Sequence, residues 1–483
     1  MSTGTRRDAP GFIKAMGLTD VVLMNIVAVV GMRWIARGAR AGRASVTLWA
    51  LAWIAFCVPL AASVAELASR YPDQGGVYVW VRRAFGAGHG FLCGWCLWVN
   101  NLFYFPSVLL FGAANFAAMG GPEWAAMGSS RTYVVVFVLA GIWIAALVSI
   151  VGLRTGKWLQ NVGTAGVWIP AGLLIGCGAF AAFRYGSATP FTPSSLVPRG
   201  DLLDTVGLWS AMCFAFSGFE ITSFIGQEIK RPERTIPLGV LIGGIATTVI
   251  YIAGSASVLA AVPFASLKEL SGITDAVQLV TARVGITGIG ALTGLLLTLN
   301  ALAGTASWTA GAARVPFAAG VDAALPHAFA RLHPRFRTPH VALIVQSLAS
   351  SVIFLASLFV NAAGAASSIQ DAYDILVNLT ILIYFVPYLY LFAALVRLRR
   401  MSPDNAGGVM IPGGMSGAMT VAGVGFAATV IAIALTFLPP PGSHAMAYET
   451  NLIVQSVAML GLGGLLYRLS RRSSRSGRYK LHE

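Results

Sequence analysis

The chain has 483 residues, 57% hydrophobic and 11% charged, with a mean hydropathy of +0.74. A soluble protein carries about a quarter of its residues as charges, so a soluble enzyme is excluded. The formal net charge of +15 would suit a nucleic-acid binder. However, most of the 33 Lys and Arg lie in the amino-terminal segment, in alternate loops and in the carboxy-terminal tail, and that asymmetry sets membrane orientation.

The apolar residues come in blocks of about 20, each long enough to cross ~30 Å of hydrocarbon as a helix. The polar start MSTGTRRDAPGFIK runs directly into the first block, which reads as a retained span and not as a cleaved leader. Span 1 covers residues 17–42, with a break at Val30-Gly31-Met32-Arg33; span 2 covers 45–68. A Gly-rich inner loop with Arg82 and Arg83 leads to span 3 (86–117), span 4 (131–151) and span 5 (157–183). Span 6 and its loop occupy 209–237, span 7 covers 238–262, and a short outer helix is expected at 273–284. Spans 8 to 12 follow at 285–320, 341–360, 372–396, 414–438 and 448–469, ahead of a basic tail. The expectation is an all-α polytopic membrane protein of twelve spans in the inner membrane of the cell, with both termini cytoplasmic.

Span 6 reads WSAMCFAFSGFEITSFIGQEIKRPERTIP, and its apolar pattern fails at Ser217-Gly218-Phe219-Glu220. An acid at bilayer depth costs about 2.5–3.5 kcal/mol on insertion scales. The physical reason to keep one is an unwound segment whose freed backbone groups and acid face a cavity. Span 1 carries the same Gly-x-charged triplet, Gly31-Met32-Arg33, five spans earlier. Two interrupted spans in corresponding positions point to a transport site. Their charges are opposite, so Arg33 and Glu220 are expected to be coupled, either directly or through a bound zwitterion. Glu220 is also the candidate for proton coupling, because burial disfavours a charged carboxyl.

Span 3 places Cys96, Asn100, Tyr104 and Ser107 on one face, with Asn100 and Tyr104 as site candidates. Glu66 and Glu228, near the inner ends of spans 2 and 6, are gate candidates, with Arg70, Lys230 and Arg231 as partners. Arg37, Arg40 and Arg43 recur with Arg33 every three or four residues along the outer half of span 1. They read either as snorkelling anchors or as a vestibule attracting anions. Cys93-Gly-Trp-Cys96 has no second pair to complete a metal site, and no phosphate loop or nucleophile–base motif stands out. No metal, cofactor or enzymatic chemistry is expected. Two function classes remain: a secondary transporter, or a non-transporting receptor or partner-binding membrane subunit.

Four stretches resemble one family. FAFSGFEITSFIGQEIKRPERTIP resembles helix 6 and its loop in the amino acid–polyamine–organocation permeases, and WCLWVNNLFYFPSVLL resembles helix 3 of their glutamate/γ-aminobutyrate-antiporter-like branch. GAARVPFAAGVDAALPHAFARLHPRFRTPH and ELASRYPDQGGVYVWVRRAFG resemble the loops after helices 8 and 2. The resemblance implies a leucine-transporter-like fold with helices 1 and 6 broken. Residues 15–183 and 205–396 would be inverted five-helix repeats, followed by peripheral helices at 413–470 and a tail at 471–483. It implies an antiporter or proton-coupled symporter for amino acids or related amines, working by alternating access. The binding backbone carried over is Val30, Gly31 and Met32 with Phe216, Ser217, Gly218 and Phe219. Family members commonly have small residues at the first break, where this chain has Met32 and Arg33. Arg33 either reaches a substrate carboxylate or occupies the place of its ammonium.

Overall fold

The computed structural model of the chain describes residues 16–71, 76–151, 153–192, 202–220, 229–313, 327–359, 368–402, 409–439 and 445–475. Helix dominates these residues, and the one extended pairing among them is an isolated bridge between Met16 and Ile229. Among the described residues, ten helical segments are long and apolar enough to cross a membrane. A bilayer offers backbone N–H and C=O groups no partner, so each span must satisfy its own.

Span 1 forms two short helices, α1 (Leu18–Val29) and α2 (Met32–Ala39). Span 2 forms α3 (Ser45–Ala52) and α4 (Val58–Arg70), joined by a π-helical turn at Trp53–Cys57. Pro59 lies two residues past the end of that turn; it has no N–H to place in a regular ladder, and the wider turn absorbs the mismatch. The stretch expected as a Gly-rich loop contains α5 (Gly76–Phe85). Val77, Trp80, Val81 and Ala84 form a buried helical stripe there, while Arg82 and Arg83 stay exposed.

The chain continues through α6 (Ala87–Met119), the short α7 (Pro122–Ala125), α8 (Arg131–Val151), α9 (Leu153–Tyr185) and α10 (Leu202–Ala215). Next come α11 (Pro232–Ala261), the short α12 (Gly272–Arg283), α13 (Ile289–Ala312) and α14 (His340–Phe359). The last three are α15 (Ile369–Met401), α16 (Gly414–Thr436) and α17 (Ala445–Arg475).

The centre is built on α6 and α15, whose spanning windows are 78% and 72% buried; that of α17 is 11% buried, which puts it at the periphery. α13 packs on α6, α8 and α9, while α11 packs on α1, α4 and α9. The outward faces carry exposed Val136, Leu147, Val249, Leu348, Ile431 and Val457. That much open apolar surface would be a liability in water and is what lipid requires.

Candidate functional site

Between α1 and α2 the residues Val30 and Gly31 are extended, with ψ of 96° and 112°. A Cβ on Gly31 would lie 2.6 Å from the Trp34 ring, which folds back over the break. The second interruption follows α10, where Phe216 to Glu220 leave the regular helix. Gly218 has φ +118°, a region closed to ordinary L-residues. A Cβ on Gly218 would meet Val29 Cγ2 at 3.4 Å and the Ala28 carbonyl at 3.5 Å. The two interruptions therefore lie directly against each other.

Two tyrosines from other helices take up the backbone groups the breaks set free. The Tyr251 hydroxyl of α11 donates to the Val29 carbonyl at 2.7 Å and shares its hydrogen with the Ala215 carbonyl at 3.0 Å. It also accepts from the Gly31 N–H at 3.1 Å. Trp49 stacks on its ring at 4.5 Å, so the hydroxyl is held in place. At the second break the Gly218 N–H is shared between Glu220 Oε2, at 3.1 Å, and the Tyr388 hydroxyl of α15, at 3.3 Å. A buried carbonyl or N–H without a partner costs about 1–3 kcal/mol, and these hydroxyls remove most of that cost.

Glu220 is 1% exposed and accepts hydrogen bonds from Tyr384 and Tyr388, the latter 3.0 Å from each oxygen. Arg33 is also buried, but with other partners. Its Nη1 donates to Ser107 at 2.7 Å, and its guanidinium lies 4.2 Å from the Trp34 ring centroid and 4.7 Å from that of Tyr104. Its Nη2 is buried without a hydrogen-bond partner. The ion pairs found among the described residues do not include a direct Arg33–Glu220 pair, because each side chain is held by its own set of neighbours.

The remaining expected residues fall as follows. The Val30, Phe216 and Ser217 N–H groups donate to the carbonyls of Ile26, Cys213 and Phe214. Met32, Phe216 and Phe219 are buried beside the breaks. Asn100 is buried with its Oδ1 unpartnered, and Tyr104 lies against Arg33 and Trp308. Trp98, on the same helix, donates to Gln346 at 2.9 Å. Glu228 lies outside the described residues.

At the amino-terminal end of α15, on the side expected to be outer, Arg37 is neither a snorkelling anchor nor an open vestibule charge. It donates to Glu269 and to Asp374 of α15, both at 2.7 Å, and is 5% exposed. Arg40 pairs with the other Glu269 oxygen at 2.5 Å, and Gln370 and Asn378 complete the cluster. Arg43 alone of this row is exposed. Burial by itself would push the Glu269 carboxyl up; Arg37 and Arg40 outweigh it and hold the group below the ordinary carboxylate range.

At the opposite end of α15, on the side expected to be inner, Glu66 is fully buried between Arg70, at 3.1 Å, and Arg399, at 3.4 Å. It also accepts from the Ile411 N–H at 2.9 Å, while Arg70 and Arg399 reach the carbonyls of Ser402 and Ile411.

Sequence reasoning missed Tyr251, Tyr384, Tyr388, Glu269 and Asp374. Asp374 gave a usable signal, since it is an acid inside the apolar span 372–396 and falls under the rule that singled out Glu220. Tyr384 and Tyr388 share a helix face by their i, i+4 spacing, but nothing in span 10 says which break they face.

A family model described as amino acid permease matches residues 16–464. An uncharacterized transporter of Legionella pneumophila is 27% identical over 91% of this chain and 94% of its own. A probable agmatine/putrescine antiporter of Lactococcus lactis is 25% identical over 80% of each chain. A glutamate/gamma-aminobutyrate antiporter of the same organism is 23% identical over 85% of this chain and 82% of its own. The breaks and their buried charges thus sit in a polytopic membrane transporter and not in an enzyme. The chain belongs to the amino acid permease family.

Proposed function

We propose that the chain is a secondary transporter that moves amino acids or related amines across the inner membrane of the cell by alternating access. Its architecture in this reading is twelve spans with both termini cytoplasmic, residues 15–183 and 205–396 forming inverted repeats and helices 413–470 lying outside them. The observation that carries the reading is the contact of Gly218 with the end of α1, which sets two helix interruptions side by side in a chain of this family. Substrate binds at Val30, Gly31, Met32 and Arg33 on one break and Phe216, Ser217, Gly218, Phe219 and Glu220 on the other, with Asn100 and Tyr104 on the facing helix.

The tyrosines define what substrate must do there. Tyr251 satisfies carbonyls of both broken spans through one hydroxyl, so it couples the two breaks. Glu220 organises the second break as an acceptor for two hydroxyls and one N–H. Protonating it turns one acceptor oxygen into a donor and forces that arrangement to change. Such a step suits proton symport; exchange of one substrate for another needs no net protonation. Glu66 serves as the inner gate residue, clamped to Arg70 and Arg399.

Purified protein in liposomes preloaded with an amino-acid panel tests this. Counterflow of a labelled substrate without an imposed gradient is expected for an exchanger, and uptake driven by an inward proton gradient for a symporter. Tight binding with no flux under either condition would make the chain a receptor on a transporter fold.

A further inference from the structure

Arg33, Arg37 and Arg40 lie within about two turns of one another along α2. Arg37 and Arg40 share the carboxylates of Glu269 and Asp374. Arg33 has a hydroxyl and two aromatic rings in place of an acid. These three arginines therefore stand against two anions, and the surplus positive charge sits on Arg33.

A guanidinium buried without a carboxylate is costly unless something anionic visits it. The Ser107 bond and the contacts with Trp34 and Tyr104 fix this one in position. Its Nη2 edge is buried and has no hydrogen-bond partner. The neighbouring backbone donors are committed, the Val30 N–H to Ile26 and the Gly31 N–H to Tyr251. An anion entering the first break thus meets the free Arg33 edge and the opening N–H groups of α2. A planar carboxylate matches both the charge and the fork of a guanidinium, whereas an ammonium is repelled by it. One turn before Tyr104, the unpartnered Oδ1 of Asn100 offers a buried acceptor for an amine.

Resting on the transporter reading above, we propose that Arg33 is the carboxylate receptor of the transport site. The substrate is an amine that also bears a carboxylate, and diamines and polyamines without one are excluded.

The test uses the purified full chain with three sets of ligands. These are the common L-amino acids with γ-aminobutyrate, the carboxamide analogues of those that bind, and putrescine and agmatine. Binding is read by ligand-induced thermal stabilisation and by competition. Expected are binding of at least one carboxylate compound, about tenfold or greater weakening when that carboxylate is amidated, and no binding of putrescine or agmatine. Arg33→Gln should weaken the carboxylate ligand by a similar factor and lose the preference for acid over amide; Arg33→Lys should fall between. If Arg33→Gln fails to fold, the amide comparison on the native chain decides. An amide that binds as tightly as its acid overturns the assignment. So does a diamine that binds as well as the best carboxylate, or a panel in which no carboxylate binds. Counterflow on the same protein separates the two readings. Exchange of a diamine overturns the Arg33 assignment and leaves transport standing, while carboxylate binding without exchange does the reverse.

Discussion

The two buried ion clusters differ in what they are made of. The outer one joins α2, the turn before α12 and α15 entirely through side chains: Arg37, Arg40, Glu269, Gln370, Asp374 and Asn378. The inner one ties α4 to α15 and to the segment after it, with backbone groups of Ser402 and Ile411 as partners beside Glu66, Arg70 and Arg399. A side-chain cluster can come apart by rotamer changes and re-form with water. A clasp that includes backbone needs a segment to move. The outer cluster is therefore the more sensitive to single substitutions and the inner one the more tolerant of them.

The largest expected effect is that of Arg37→Met. It leaves Glu269 and Asp374 buried with only the half-buried Arg40 between them. Removing one partner of a buried pair costs about 3–5 kcal/mol. Thermal unfolding in detergent should show a clear loss, and a cysteine placed beside Gln370 should react faster with a water-soluble thiol reagent. Acid sharpens the result. The Glu269 carboxyl is held below its ordinary range, so its contribution is present above the unfolded value and is lost as pH falls through the folded one. The stability gap between native protein and Arg37→Met should therefore narrow below about pH 4. A gap constant down to pH 3 would mean that Glu269 does not carry the cluster.

Glu66→Gln should do less. The amide still accepts the Ile411 N–H, and Arg70 and Arg399 keep their carbonyls. Loss of the charged partner is worth about 1.5–3 kcal/mol. A loss as large as that of Arg37→Met would remove the contrast between the clusters. Tyr251→Phe comes next, at about 1–2 kcal/mol, since it strips the Val29 and Ala215 carbonyls and the Gly31 N–H of their common partner while keeping the ring on Trp49. Exchange rate should change more than stability, because both breaks lose the group that links them.

Legibility followed the kind of signal each feature leaves. Both breaks could be read because glycine beside a charge at bilayer depth is costly in any context, and Gly31 and Gly218 stand at the irregular backbone. The partners of those charges could not, because a pair such as Arg37–Asp374 is separated by more than three hundred residues and no local pattern encodes it. Opposite signs on Arg33 and Glu220 suggested that they pair; side-chain length and the nearby tyrosines and Ser107 gave each a closer partner. The helix α5 was hidden for a different reason. Gly75, Gly76 and Gly86 at its ends favour a loop, yet Val77, Trp80, Val81 and Ala84 recur at helical spacing, and burial of that stripe overrides the local preference.

The smallest effects separate Arg40 from Arg43. Arg40 pairs with Glu269, but its side chain is 29% exposed, so water already screens part of the interaction. Arg40→Gln should cost about 0.2–1 kcal/mol, and its effect should shrink in high salt. Arg43 lies three residues further on and is exposed, so Arg43→Gln should leave both the unfolding temperature and its salt dependence unchanged. If the two variants behave alike, Arg40 is a surface charge and the outer cluster ends at Arg37. If Arg40→Gln approaches Arg37→Met, Glu269 needs both guanidiniums, and the surplus charge on Arg33 stands beside a cluster that has none to spare.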